Sequence, residues 1–281
     1  VYFSDLVGAS LGCLIIVPLL FQFSAPSIIF VVSIFACLAA LAFSHELKLR
    51  WIRVLVGVLV VIFIVLFWAN DRLSLLKVVN IKSYMTSTPQ ERETNKILEK
   101  WNPVSRVAVF APKNETYKDL KYQTMKVTND AGAPTLLYRF DGDFSKLDYL
   151  KADSRQIVHH LKPNADVLII GPGGGMDVLT SLLFNQKKIT AVEINPVFRK
   201  LVTKTYADYI GRIFEDPRVT LHINEGRNFV AGSKDLYDII QITMIDSWAS
   251  AASGAYLFNE NTLYTYEAVR DYYTHLKAEG I

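Results

Sequence analysis

Charge is missing from two long stretches of this 281-residue chain: no Asp, Glu, Lys or Arg occurs between Leu6 and Ser44, or between Val54 and Asn70. Cysteine is scarce as well. Cys13 and Cys37 both lie in the uncharged part, so residues 70–281 can hold neither a disulfide framework nor a cysteine-based zinc site. No Lys/Arg cluster with interleaved aromatics appears and the net charge is only +3, so no nucleic-acid partner is expected. The chain starts at Val1 and runs directly into apolar sequence, with no basic n-region or small-residue cleavage site. It reads as a segment whose native N-terminus lies upstream, not as a signal peptide.

The uncharged sequence has to be accommodated somewhere. As one helix, residues 6–44 would run about 58 Å, roughly twice the thickness of a bilayer's hydrocarbon core. Gln22–Pro26 supplies a break, since Pro26 lacks a donor and biases Ala25 away from helix. The expectation is transmembrane helices at about 5–23, 27–43 and 52–69, with Trp51 and Trp68 at the interfaces. Gly8 and Gly12 give the first span a small-xxx-small surface, and Asp5 reads as an interfacial, solvated carboxylate. Lys48, Arg50 and Arg53 precede the third span while Arg72, Lys77 and Lys82 follow it, so the positive-inside count ties.

After this membrane part (residues 1–70), residues 71–150 read as a connector and a small β-rich region, and 151–281 as a nucleotide-binding domain truncated at its C-terminus. Thr88-Pro89-Gln90-Glu91 resembles a helix start. Val104–Phe110 reads as a strand, and Tyr122–Val127 with Thr135–Phe140 as a hairpin. The pattern then changes to alternating strands and helices. Strands are expected at Asp166–Ile170, Ile189–Glu193, Val219–Ile223 and Asp238–Ile245, with helices at 176–184, 196–209 and 262–276. Such alternation predicts an α/β fold with a Rossmann-like, doubly wound parallel sheet.

The loop after the first of these strands reads Gly171-Pro172-Gly173-Gly174-Gly175-Met176-Asp177. Glycines let a backbone approach a ligand closely and aim helix N-terminal amides at it. A dinucleotide loop, G-x-G-x-x-G, would put its third glycine at 176, where Met176 stands, which disfavours an NAD-linked enzyme. The spacing G-x-G-x-G resembles the loop of S-adenosylmethionine-dependent class I methyltransferases. Glu193 closes the second strand 20 residues past Gly173, where a carboxylate can accept from ribose hydroxyls. Asn224-Glu225-Gly226 places a second carboxylate over the same crevice, suited to the adenine side. Asp246-Ser247-Trp248 is expected to close the fourth strand, from which a catalytic or substrate-facing group projects. Trp248, Tyr256, Glu260 and Tyr264 are the remaining candidates for contact with an acceptor.

Asp166-Val-Leu-Ile-Ile-Gly171, Val192-Glu193-Ile194, Asp216-Pro217-Arg218-Val219 and Tyr237-Asp238-Ile239-Ile240 with Asp246-Ser247 resemble spermidine synthases in order and spacing over about residues 120–281. The glycine loop, Asn224-Glu225-Gly226-Arg227 and the Leu257–Ala268 segment are similar to bacterial multi-span membrane proteins described as spermidine synthase-like. The resemblance implies S-adenosylmethionine, or its decarboxylated form, held by Gly171, Gly173, Gly175, Glu193, Glu225 and Gly226. Asp246 would serve as base or acceptor-positioning group. It also implies a small-molecule acceptor, an amine or another nucleophile, and allows a homodimer. The departures concern the acceptor. Gly174 stands where an aminopropyltransferase loop has the Asp that holds the aminopropyl end, Ala249 replaces the second carboxylate of Asp-Ser-x-Asp-Pro, and the Tyr-His-Glu or Tyr-Gln-Glu motif is absent. His159-His160 reads instead as the end of a packing helix.

The expectation is a bacterial inner-membrane protein with a cytoplasmic transferase domain, moving a methyl or aminopropyl group to an acceptor other than putrescine. The alternative is a cofactor sensor regulating a membrane transporter.

Overall fold

The computed structural model describes residues 2–44, 50–76, 95–117, 120–129, 133–245 and 262–281. The chain divides into two compact units, one of residues 1–80 with 100–106, the other of 81–99 with 107–281.

The first unit holds helices α1 (Tyr2–Gln22), α2 (Ala25–Ser44) and α3 (Arg50–Leu73). All three are long and apolar enough to cross a membrane. The break between α1 and α2 falls at Phe23-Ser24, and Pro26 sits in the first turn of α2, where its missing N–H costs nothing. Ser24 Oγ accepts from the Ser27 amide at 3.2 Å. No residue of α1 is buried. Helices α2 and α3 pair more closely. Phe23 packs edge-on against Phe67 with ring centroids 4.9 Å apart. Buried Asn70 donates to Ser27 Oγ at 2.8 Å and accepts from the Leu76 amide at 2.7 Å, a polar clamp between the two helices.

Two sheets follow the three helices along the chain. The first contains β1 (Lys96–Trp101), β2 (Arg106–Phe110), β3 (Lys113–Tyr117), β4 (Leu120–Asn129) and β5 (Ala133–Tyr138). The ten-residue β4 is its spine, pairing antiparallel with β2, β3 and β5. The hairpin of β4 and β5 was legible, whereas β1 and β3 were not. Lys113-Asn114-Glu115-Thr116-Tyr117 has no apolar alternation because only one neighbour and little core lie against it. The expected helix start at Thr88-Pro89 lies outside the described residues.

The second sheet is parallel throughout, in the order β8-β7-β6-β9, from β6 (Asp166–Ile170), β7 (Lys188–Glu193), β8 (Val219–Ile223) and β9 (Ile239–Ile242). Alternation sorts its side chains. Val167 and Ile169 face the core shared with α5 (Met176–Leu183) and α6 (Pro196–Lys200), while Leu168, Ile170 and Val192 pack with Val230 of α7 (Gly226–Gly232) and Tyr272 of α8 (Tyr266–Thr274). Apolar contact on both faces is why β6 is a continuous hydrophobic run. The doubly wound α/β fold is therefore present. The antiparallel sheet joins it through the same core, since Val107, Val127, Leu137 and Phe140 lie in one cluster with Val167 and Leu179.

Three boundaries differ from the sequence reading. The helix from Pro196 passes after Lys200 into a π turn over Leu201–Thr205 and stops, followed by Gly211 and Arg212 at positive φ. The segment expected as one helix over 262–276 is a 3-10 turn, Thr262–Tyr264, and then α8. Strand β9 ends at Ile242, three residues short of the expected Ile245, and Met244 sits at φ +47°. Past α8, Ile281 exchanges backbone hydrogen bonds with β9, donating to Asp238 and accepting from Ile240, both at 2.9 Å.

His159 lies in the short helix α4 (Ile157–Leu161) and is buried, with Gln186 Nε2 donating to its Nδ1 at 3.1 Å. Burial pushes its pKa down to about 4, so the native imidazole is neutral. The unfolded chain takes up this proton near pH 6.5 and the folded one only near 4. Stability is thus full above 6.5 and falls between the two, by roughly 3 kcal/mol for this group. Urea midpoints between pH 7 and 4 should show that loss, and it should shrink in His159→Gln.

Candidate functional site

The carboxyl ends of the parallel strands carry the candidate site residues. Between β6 and β9 the strand order reverses, and in open α/β sheets ligands bind in the crevice at such a switch point. The glycine loop occupies that crevice. Gly171, Gly173 and Gly175 have φ of +72°, +49° and +89°, and the Gly175 amide turns back to the Pro172 carbonyl at 2.8 Å. Gly175 is the left-handed N-cap of α5, a conformation any side chain would strain, and a Cβ there would stand 2.8 Å from the Phe214 ring.

Gly174 is excluded from being anything larger for another reason. A Cβ at 174 would press on the backbone of Leu136, whose carbonyl carbon would lie 2.8 Å away. Strand β5 therefore lies directly over the loop, and Thr135 Oγ1 accepts from the Gly174 amide at 3.0 Å.

Glu193, the last residue of β7, is brought to this loop. Its Oε2 accepts from the Gly173 amide at 3.2 Å and its Oε1 from the Asn195 amide at 2.9 Å. The side chain is buried, and desolvation raises its pKa against the lowering effect of those amides. A carboxylate offers about four lone-pair positions. Capacity remains for donors from a bound ligand.

Glu225 caps α7, accepting from the amides of Arg227 at 3.1 Å and Asn228 at 2.8 Å. Thr262 Oγ1 reaches the same carboxylate at 3.4 Å. Gly226 permits close packing at that point, since a Cβ would meet Ile170 Cγ2 at 2.5 Å. Tyr264, in the Thr262–Tyr264 turn, is exposed. The structure thus gathers the glycine loop, Glu193, Glu225 and Gly226 at one sheet edge. Asp246, Trp248, Tyr256 and Glu260, with Ala249, lie outside the described residues.

A polar cluster beside the loop was missed. Asp177, in the first turn of α5, is 6% exposed and accepts from Gln241 Nε2 at 3.2 Å and Gln156 Nε2 at 3.4 Å. Thr243 also hydrogen-bonds this carboxylate, and burial raises its pKa. Gln241, a polar residue inside an apolar strand, was the signal that could have pointed here.

Residues 153–281 match the family model described as Spermine/spermidine synthase domain. Similar curated proteins include the polyamine aminopropyltransferase of Korarchaeum cryptofilum, 33% identical over 85 residues (30% of this chain, 26% of that one). Polyamine aminopropyltransferase 1 of Pseudomonas aeruginosa is 34% identical over 96 residues, 34% of this chain and 32% of its own length. The Sulfolobus acidocaldarius polyamine aminopropyltransferase is 29% identical over 112 residues, 40% and 35% respectively. The chain spans between 26% and 35% of the length of these relatives. Among solved structures, a spermidine synthase in complex with a transition-state analogue aligns over 65% of this chain and 53% of its own, at 20% identity and TM-score 0.40. The Thermotoga maritima spermidine synthase covers the same shares at 21% identity and TM-score 0.42.

Proposed function

We propose that the chain, whose residues 153–281 match the spermine/spermidine synthase domain, is a membrane-anchored aminopropyltransferase acting on decarboxylated S-adenosylmethionine and an amine. The observation that carries this reading is the glycine loop at the switch point with a buried carboxylate on its amides. The residues fit an adenosyl sulfonium. Gly171, Gly173 and Gly175 leave backbone bare at the crevice, and Glu193 keeps acceptor capacity for ribose hydroxyls. Glu225 and Gly226 lie on the neighbouring strand end for the adenine side.

When bound, the sulfonium supplies an electrophilic carbon and a neutral thioether leaving group. The chain's own residues have to orient an amine against that carbon, exclude water and take up the amine's proton, with orientation the larger contribution. Asp246 is the assigned base. The three apolar helices would hold this chemistry at the membrane, with the domain in the cytoplasm where the nucleoside is made.

The test is incubation of the purified protein, in detergent, with decarboxylated and ordinary S-adenosylmethionine and a set of amines. Release of methylthioadenosine supports the reading. S-adenosylhomocysteine would replace aminopropyl with methyl transfer, and binding of neither nucleoside by calorimetry would overturn both.

A further inference from the structure

We infer that Gln241 is a positioning residue for the transfer step: it ties the helix leaving the glycine loop to the end of β9, and so fixes the spacing between the segment that holds the nucleoside and the segment that runs on to Asp246. The inference rests on the transferase reading for the reaction it serves. Its contacts belong to neither the nucleoside nor the acceptor.

Gln241 is out of place by composition. The rest of β9 is Ile239, Ile240 and Ile242, and Gln241 lies opposite Ile169 of the buried strand β6. A primary amide in such a strand costs free energy unless its hydrogen bonds are made. They are made to three separate segments. Its Oε1 accepts from the buried ring of His159 in α4. Gln186 donates to Nδ1 of that ring, which leaves Nε2 to carry the proton given to Gln241. Its own Nε2 donates to Asp177 in α5 and to Thr243 Oγ1 just past β9, both at 3.2 Å. The Thr243 hydroxyl in turn donates to Asp177. Each proton in this relay has one direction, so the Gln241 amide cannot turn over without breaking bonds at both ends.

Asp177 stands two residues after Gly175, and its carboxylate is turned to Gln241, Thr243 and Gln156. The glycine loop therefore has three anchors. Glu193 holds the Gly173 amide from β7, Thr135 holds the Gly174 amide from β5, and Gln241 holds the loop's exit from β9 through Asp177. The first two grip the loop backbone itself, and their loss should weaken nucleoside binding. The third joins the ends of two neighbouring strands, β6 with its loop and β9 with the chain beyond it. Transfer is fast only when nucleophile, electrophilic carbon and base are held in register, and a displacement of about 1 Å can cost about 100-fold. Loss of this anchor should appear in turnover and not in nucleoside affinity.

The experiment uses the full chain in detergent with the nucleoside and amine that give turnover. Gln241→Leu should lower kcat by about 30-fold or more while nucleoside affinity, read by calorimetry, stays within about threefold of wild type. Gln241→Glu keeps the shape but sets a carboxylate against Asp177, and it should be as slow; wild-type kcat there would reduce Gln241 to a packing residue. His159→Phe, which removes the donor to Gln241 and stays informative should the Gln241 variants fold poorly, should give a smaller loss of kcat. Combined with Gln241→Leu it should add nothing, as expected of one relay. Independently of turnover, amide hydrogen exchange in Gln241→Leu should quicken at Gly171–Val178 and at 239–245 together. An unchanged kcat, a loss of nucleoside affinity as large as the loss of kcat, or faster exchange confined to β9 overturns the positioning role. A wild-type chain that turns over no nucleoside sinks the transferase reading instead, and the exchange result then decides whether Gln241 couples loop and strand.

Discussion

Glu193→Ala is expected to weaken binding of an S-adenosyl sulfonium nucleoside by about 100-fold or more. The carboxylate accepts from the amides of Gly173 and Asn195, and it is buried, so truncation strands two donors at once. Each orphaned buried donor costs roughly 1–3 kcal/mol, and the loss falls on the segment that has to present its backbone to the ligand. Glu193→Gln keeps one carbonyl acceptor and should fall between, at about tenfold. The raised pKa of Glu193 adds a sign to check. Its ionised form is the better acceptor, so affinity should decline on acidification sooner than for an ordinary surface glutamate. Calorimetry with the purified chain reads all three. Wild-type affinity in Glu193→Ala would remove this residue from the nucleoside site.

The second large effect is expected from Gly174→Asp, the exchange that would install the carboxylate found at this place in aminopropyltransferase loops. By resemblance alone it should improve the enzyme. The tertiary structure says otherwise, because a Cβ at 174 runs into the Leu136 backbone and the Gly174 amide would lose its place against Thr135 Oγ1. Strand β5 cannot yield at one residue, since Leu136 is registered opposite Lys126 within the β4–β5 ladder. Overpacking against backbone should cost about 3 kcal/mol, enough to lower the melting midpoint by roughly 6–12 °C. Aminopropyl transfer should drop, not rise. A variant as stable as wild type and more active would show that β5 lies elsewhere during turnover.

That contrast bears on the substrate. The curated relatives are named for polyamine aminopropyl transfer, and the closed space over Gly174 means that a side chain at 174 could not hold an aminopropyl end here. Putrescine-like amines remain the natural acceptors to try first, and nothing in the comparisons speaks for the transporter-sensor alternative.

Much of this protein was legible in one dimension because the relevant physics is local. Uncharged runs of helical length identify α1, α2 and α3. The apolar strand Asp166–Ile170, the glycines behind it and Glu193 at the next strand end follow from periodicity and backbone freedom, both properties of short windows. The α/β class follows from the alternation of such windows. What the sequence by itself determined was therefore which segments are apolar on one face or two, and where the backbone needs glycine. Only the tertiary structure decided what lies opposite. That β5 closes over Gly174 and that Asp177 meets Gln241 and Thr243 are contacts between residues 38 or more positions apart, and no local pattern encodes them. A buried carboxylate and a surface one look alike in a sequence; the difference between them is the desolvation that packing imposes.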